Sequence, residues 1–177
     1  MEKNVQDDPL SNEIIIMKKE EIKFTIAVYD SSDELNEDDA FLLSEARSVT
    51  QFAYAPYSNF QVGAVAQLVN GETVTGSNQE NASYPVGICA ERVLLGTIAT
   101  LHPKIPVTSI AVSFDSEDVK SDHPISPCGM CRQALLEYET RTNKPIRIIL
   151  SGQEGKVFII PSASFLLPFA FTKSELG

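Results

Sequence analysis

Apolar residues change their spacing several times along the chain, and each change marks a predicted element. Ile22, Phe24, Ile26 and Val28 fall on alternate positions, the period of a half-buried strand, and the β-branched run at 14–16 reads as another. Asn36 precedes Glu37, Asp38 and Asp39, a helix cap followed by acidic residues where the helix dipole favours them. Leu42, Leu43, Ala46, Val49 and Ala53 then recur at helical spacing, and Pro56 predicts the end of that helix. Two strand-like stretches, 62–69 and 73–75, flank Asn70-Gly71, the strongest two-residue hairpin signal in the chain. Residues 77–88 are polar and irregular, with Pro85 and Gly87. Residues 90–101 read as a helix stopped by Pro103, 107–114 as a strand, and 115–127 as an acidic loop. A helix is predicted over 129–139, with Ala134, Leu135 and Tyr138 apolar. Short strands at 146–150 and 157–160 surround a turn with Gly152 and Gly155, and a short helix follows Pro161. Residues 1–11 read as a disordered tail. Strands interleaved with helices predict an α/β chain whose helices pack on the faces of a sheet.

Composition narrows the function classes. With 177 residues, 43% hydrophobic and 21% charged, the chain is long and apolar enough to bury a real core. The formal net charge of −10 disfavours a nucleic-acid binder, because an acidic surface repels phosphate backbones. The acidic start of the chain lacks the basic residues and apolar run of a signal peptide, and the burst at 14–17 is too short to span a bilayer. An odd count of three cysteines does not form a disulfide framework. These features predict a reducing, cytoplasmic setting in which thiolates are available to a metal.

All three cysteines lie in two short clusters, Cys89-Ala90-Glu91-Arg92 and Pro127-Cys128-Gly129-Met130-Cys131-Arg132. Each cluster precedes a predicted helix. Cys128 and Cys131, three apart, share a helix face and reach one ion. The separation of 128 − 89 = 39 positions holds a helix, a strand and a loop, enough chain to bring two helix starts together. Three thiolates hold Zn2+ and leave its fourth tetrahedral position open to water. Glu91, two residues after Cys89, does not share the face of Cys89 and is better placed beside the ion than as a ligand, where a carboxylate can move a proton. Three thiolates on one dication leave a net charge of 2 − 3 = −1. Arg92 and Arg132, each adjacent to a cysteine, and the two helix N-termini are candidates to offset it.

Plainer readings compete. A lone Cys-x-x-Cys also serves redox chemistry, as in a thiol–disulfide oxidoreductase, or marks two buried thiols. A closed structural zinc would need a fourth ligand, for which the only histidines are His102, at the far end of its helix, and His123, five residues before Cys128. Both read more naturally as surface or capping residues.

The motifs together resemble the small homotetrameric cytidine deaminases. The resemblance rests on Ala55-Pro56-Tyr57-Ser58-Asn59-Phe60-Gln61-Val62-Gly63-Ala64, Gly76-Ser77-Asn78-Gln79-Glu80-Asn81-Ala82-Ser83-Tyr84-Pro85, the two cysteine clusters and Leu166-Leu167-Pro168. It implies a three-layer α-β-α fold on a mixed sheet of about five strands, with an N-terminal extension at 1–35 and a deaminase domain at 36–177. It implies Cys89, Cys128 and Cys131 as zinc ligands and Glu91 as the catalytic acid–base group, taking a proton from water, delivering it to N3 of the pyrimidine and assisting loss of ammonia. It implies substrate contacts from the Ala90 N–H to the base carbonyl, from Asn78 and Glu80 to a ribose hydroxyl, and from Phe60 beside the base. Ala82, Tyr84 and Phe171 match positions that a neighbouring subunit supplies, with Phe169 a neighbouring candidate for the last. A Cys at the first ligand position points to free nucleosides in pyrimidine salvage. Alternatives are a deaminase of another nucleoside-like compound such as blasticidin S, or a non-catalytic zinc-stabilised binding protein.

Overall fold

The computed structural model describes residues 17–177. The predicted tail at 1–11 and strand at 14–16 lie outside the described residues. Nine principal elements follow in order: β1 (Ala27–Tyr29), α1 (Glu37–Val49), β2 (Phe60–Leu68), β3 (Thr73–Ser77), α2 (Ala90–Leu101), β4 (Val107–Ser116), α3 (Gly129–Thr142), β5 (Arg147–Leu150) and β6 (Val157–Ile160). The strands form one sheet in the order β1-β6-β5-β4-β2-β3. Only β4 and β5 run parallel, joined across α3; every other pair is antiparallel. The sheet is therefore mixed, as predicted, but has six strands rather than five.

Alternation along the strands divides the core in two. On one face, Leu42, Leu43, Ala46 and Val49 of α1 bury against Val65, Ala111, Ile149, Val157 and Ile159. On the other, Leu94, Leu95 and Ile98 of α2 and Leu135 and Tyr138 of α3 cover Ala64, Leu68, Ile110, Val112, Ile148 and Leu150. Successive residues Ile110, Ala111 and Val112 point to opposite faces, as a pleated strand requires. The result is the predicted α-β-α sandwich.

Local chemistry fixes the element ends. The Asn36 side chain accepts from the Asp39 N–H at 2.9 Å, capping α1 as its sequence implies. Buried Asp39 then receives two hydrogen bonds, at 3.0 and 2.8 Å, from the Arg147 guanidinium, tying the start of α1 to β5. The helix stops at Val49 and tightens into a 3-10 turn at Thr50–Phe52, short of the predicted Ala53. Thr50 Oγ1 donates back to the Arg47 carbonyl at 2.7 Å, and Ser77 Oγ donates to the Phe52 carbonyl at 3.0 Å. Helix α3 runs three residues beyond its predicted end and closes on Asn143, whose φ of 50° is the left-handed cap asparagine tolerates. The helix predicted after Pro161 is a 3-10 turn at Ala163–Leu166.

The predicted strand over 22–29 contracts to Ala27–Tyr29, because its partner β6 has only four residues to offer. Ile22 and Phe24 remain 60% and 52% exposed, so their alternation does not reflect burial in the sheet. A hairpin forms at Asn70-Gly71, but its turn is longer than the predicted two residues: Leu68 N–H donates to the Glu72 carbonyl, and Gly71, at φ 87°, donates to the Leu68 carbonyl at 3.0 Å, the glycine alone taking the left-handed conformation. Among the described residues no helix is long and apolar enough to cross a membrane.

Helix α2 lies unusually close to the sheet at Gly76. A Cβ there would sit 2.6 Å from both the Ala90 carbonyl oxygen and the Leu94 nitrogen. Gly96, on the same helix, has open space around it. The two glycines therefore predict opposite outcomes. Gly76→Ala should destabilise the protein by about 2 kcal/mol by levering α2 off β3. Gly96→Ala should stabilise it by up to about 1 kcal/mol through helix propensity. Urea unfolding of the two variants checks both signs.

Candidate active site

Strand pairing sets one end of the sheet as the place where chain segments converge. Phe60, the first residue of β2, stands opposite Ser116, the last of β4, and Gly63 opposite Ser77, the last of β3. From that end β3 leads into α2 and β4 into α3. The two helices start side by side, and their N-caps are Cys89 and Cys128. Neither cysteine makes a side-chain capping bond, so each sulfur stands at a helix end whose first N–H groups lack intrahelical partners. Cys131 follows in the first turn of α3 and is fully buried.

The sulfurs of Cys89 and Cys128 are 3.7 Å apart and those of Cys128 and Cys131 3.5 Å, and all three lie within 4.8 Å of one another. Tetrahedral zinc with bonds of about 2.3 Å places its sulfurs about 3.8 Å apart. The three cysteines thus fit a zinc ion with little movement. The histidines stand elsewhere: His102 caps the far end of α2 and meets Glu72 at 3.1 Å, while His123 pairs with Asp122 and presents its ring to Phe114. Among the described residues the metal-ligating cluster consists of the three cysteines.

Charges around the sulfurs are unequal. The neighbouring Cys131 thiol, foremost, holds the Cys89 thiol down to about 6, outweighing burial, with smaller help from Cys128 and the Arg92 guanidinium and against the charge of Glu91. Cys131 is pushed the other way by the neighbouring Cys89 sulfur and by burial. Glu91 is only 4% exposed, and burial raises its proton affinity, an effect partly offset by its own backbone N–H and by the Cys131 side chain. The carboxylate therefore sits near the sulfurs in a dry setting. Arg92 is half-buried and approaches the Met130 sulfur at 4.0 Å. Arg132 donates to the Pro127 carbonyl at 2.8 Å and the Leu166 carbonyl at 3.1 Å, which fastens the turn carrying Cys128 to the C-terminal segment.

A cleft of about 260 Å³ adjoins the cluster, lined by Asn78, Glu80, Tyr84, Cys89 and Met130 among others. A larger one, about 600 Å³, lies at the opposite ends of α2 and α3, beside Lys104 and Tyr138, and holds none of the cysteines. The segment Asn78–Gln79–Glu80 is pinned on both sides: Glu80 N–H donates to Tyr54, and Gln79 exchanges two backbone bonds with Ile88. Asn78 commits one acceptor and one donor of its side chain to β2, accepting from Val62 N–H at 2.7 Å and donating to the Phe60 carbonyl at 2.9 Å, and keeps its second amide hydrogen. Glu80 accepts from the N–H groups of Tyr57 and Ser58 and from the Ser58 hydroxyl, and these bonds, the hydroxyl foremost, hold its carboxyl below the usual range.

Phe60 is partly buried and stacks on Phe114, with ring centroids 4.9 Å apart. Ala90 is buried at the first position of α2. Ala82, Tyr84 and Phe171 are exposed, the last two at 76% and 60%. Gln133, next to Arg132, donates to the Phe171 carbonyl at 2.8 Å, whereas Phe169 stands 93% exposed at a φ of 58°. Sequence reasoning passed over Ser58, Met130 and Gln133. Met130 stands out in the sequence only by lying between Cys128 and Cys131. The other two act on residues more than twenty positions away, for which no local pattern exists.

An α/β sandwich with three sulfurs at two helix starts and a buried carboxylate beside them defines a metal-dependent hydrolase of the deaminase type. Residues 36–144 match the family described as the cytidine and deoxycytidylate deaminase zinc-binding region, and the chain belongs to that family. It is 37% identical over 140 residues to a cytidine deaminase of Halalkalibacterium halodurans, covering 79% of this chain and 98% of that protein. A cytidine deaminase of Mycoplasma pneumoniae is 36% identical over 115 residues, 65% of this chain and 82% of the relative. Among solved structures, the cytidine deaminase from Burkholderia pseudomallei superposes with a TM-score of 0.65 at 35% identity, covering 77% of this chain and all of that one.

Zinc binding should be steeply dependent on pH. Zinc takes all three sulfurs as thiolates; Cys89, held down to about 6, gives up its proton most readily, whereas the other thiols must release theirs to bind the ion. Below pH 6 a proton competes at Cys89 as well. Affinity is expected to fall at least about tenfold per pH unit on acidification, and more steeply below pH 6. Competition against a chromophoric chelator between pH 5 and 8 measures it.

Proposed function

We propose that the protein hydrolyses cytidine and deoxycytidine to uridine and deoxyuridine with release of ammonia, in cytoplasmic pyrimidine salvage. The observation that carries this reading is the buried Glu91 carboxylate beside three sulfurs spaced for one zinc ion. Zinc held by Cys89, Cys128 and Cys131 supplies Lewis acidity that makes water nucleophilic near neutral pH.

The chain's own groups do the rest. Burial makes Glu91 a stronger base than an exposed carboxylate, suited to receive a proton from the attacking water. Glu91 delivers that proton to N3 of the pyrimidine as the water oxygen bonds to C4. It then passes the second water proton to the departing amino group as the C4–N bond breaks, so that one hydrogen ends on N3 and the other in ammonia. The Ala90 N–H, at the first position of α2, holds the base carbonyl in the field of the helix N-terminus. Phe60 flanks the base, and Asn78 and Glu80 hold a sugar hydroxyl.

Arg92 and Arg132 supply positive charge against the net negative centre, Arg92 directly at Cys89 and Arg132 from the carbonyls it clamps. Ala82, Tyr84 and Phe171 complete the pocket of a neighbouring copy within a homotetramer, which accounts for large aromatic side chains left in solvent on the isolated chain. Residues 17–35 form part of an N-terminal extension ahead of the deaminase domain, and add β1 to the sheet.

Loss of the cytidine absorbance on incubation with zinc-loaded protein tests the activity; inert zinc-loaded protein overturns it. Glu91→Ala should keep one zinc per chain, by elemental analysis, while kcat falls roughly a hundredfold or more.

A further inference from the structure

Phe60 begins β2 with both of its backbone polar groups held by side chains. Its N–H donates to Ser58 Oγ at 3.2 Å, and its carbonyl accepts from Asn78 Nδ2. The same Ser58 hydroxyl donates to Glu80 Oε1 at 2.5 Å. One exposed serine thus connects the residue beside the base to the carboxylate read as the sugar contact. A carboxylate offers about four acceptor sites. Two on Oε2 face the N–H groups of Tyr57 and Ser58, at 2.8 and 3.4 Å, and one on Oε1 faces the Ser58 hydroxyl. The acceptor site left over is on Oε1, the oxygen that Ser58 fixes, and Glu80 lines the cleft beside Cys89.

We infer that Ser58 is a positioning residue for sugar recognition: its hydroxyl sets the rotation of the Glu80 carboxylate, and so the direction of the one acceptor position open to a nucleoside hydroxyl. The inference rests on the reading of Glu80 as a sugar contact. Without the Ser58 hydroxyl the carboxylate keeps its backbone bonds through Oε2 but loses the bond that orients Oε1. The damage then falls on substrates with ring hydroxyls and not on deamination itself.

The experiment compares kcat/KM for cytidine with that for 2′,3′-dideoxycytidine, which carries the same base but neither secondary hydroxyl. In the zinc-loaded native protein the ratio reports what the sugar hydroxyls contribute. Ser58→Ala is expected to lower that ratio roughly tenfold, the scale of a hydrogen bond to a charged group, while Ser58→Thr, which keeps a hydroxyl, restores most of it. Glu80→Ala serves as the reference and should lower the ratio at least as far. A fallen ratio in Glu80→Ala with a native ratio in Ser58→Ala removes the role of Ser58 alone. A native ratio in Glu80→Ala removes the sugar contact itself, and the Ser58 proposal with it. Equal loss on both substrates in Ser58→Ala would make the serine merely structural and overturn the proposal. Should the alanine variant not yield zinc-loaded protein, Ser58→Cys, of similar size but a weaker donor, is read by the same ratio.

Discussion

Everything distinctive about this molecule depends on two helices beginning at the same place. A helix start exposes N–H groups and a partial positive charge, which favours thiolates and tolerates the concentration of negative charge that three sulfurs represent. Cys89 and Cys128 stand at the two starts, and Cys131 one turn into the second helix. The sheet enforces that coincidence. β3 and β4 end at the same edge, and the contact of α2 with Gly76 leaves no room for the helix to drift.

The placement of Glu91 follows from the same arrangement. It sits in the first turn of α2, where a carboxylate is stabilised by the helix end, yet it is nearly free of solvent. The two influences oppose each other. Burial prevails, and the group is left with a raised proton affinity while neighbouring Cys89 has a lowered one. Titratable groups two residues apart are thus displaced in opposite directions, the kind of perturbation that clusters at functional sites.

How much of this is legible in the sequence depends on distance along the chain. Helix α2 is readable to the residue, because Cys89 and Pro103 bracket an amphipathic run. The end of α3 is not, because Thr140, Arg141 and Thr142 carry no apolar signal and only the left-handed Asn143 stops the helix. Alternation at Ile22 to Val28 suggests a long strand, but a strand exists only where a partner is available, and β6 supplies one for three residues. In the site, Cys89, Glu91, Cys128 and Cys131 declare themselves by spacing. The Ser58–Glu80 and Arg132–Leu166 contacts join residues 22 and 34 positions apart, and only the folded chain reveals them.

The short strand β1 has an effect out of proportion to its length. By pairing with β6 it occupies backbone donors and acceptors that would otherwise lie open along one margin of the sheet. The open margin passes to β1 itself, whose three residues leave a foreign strand only a very short template. An edge this short is one of the ways a sheet is kept from growing by strand addition.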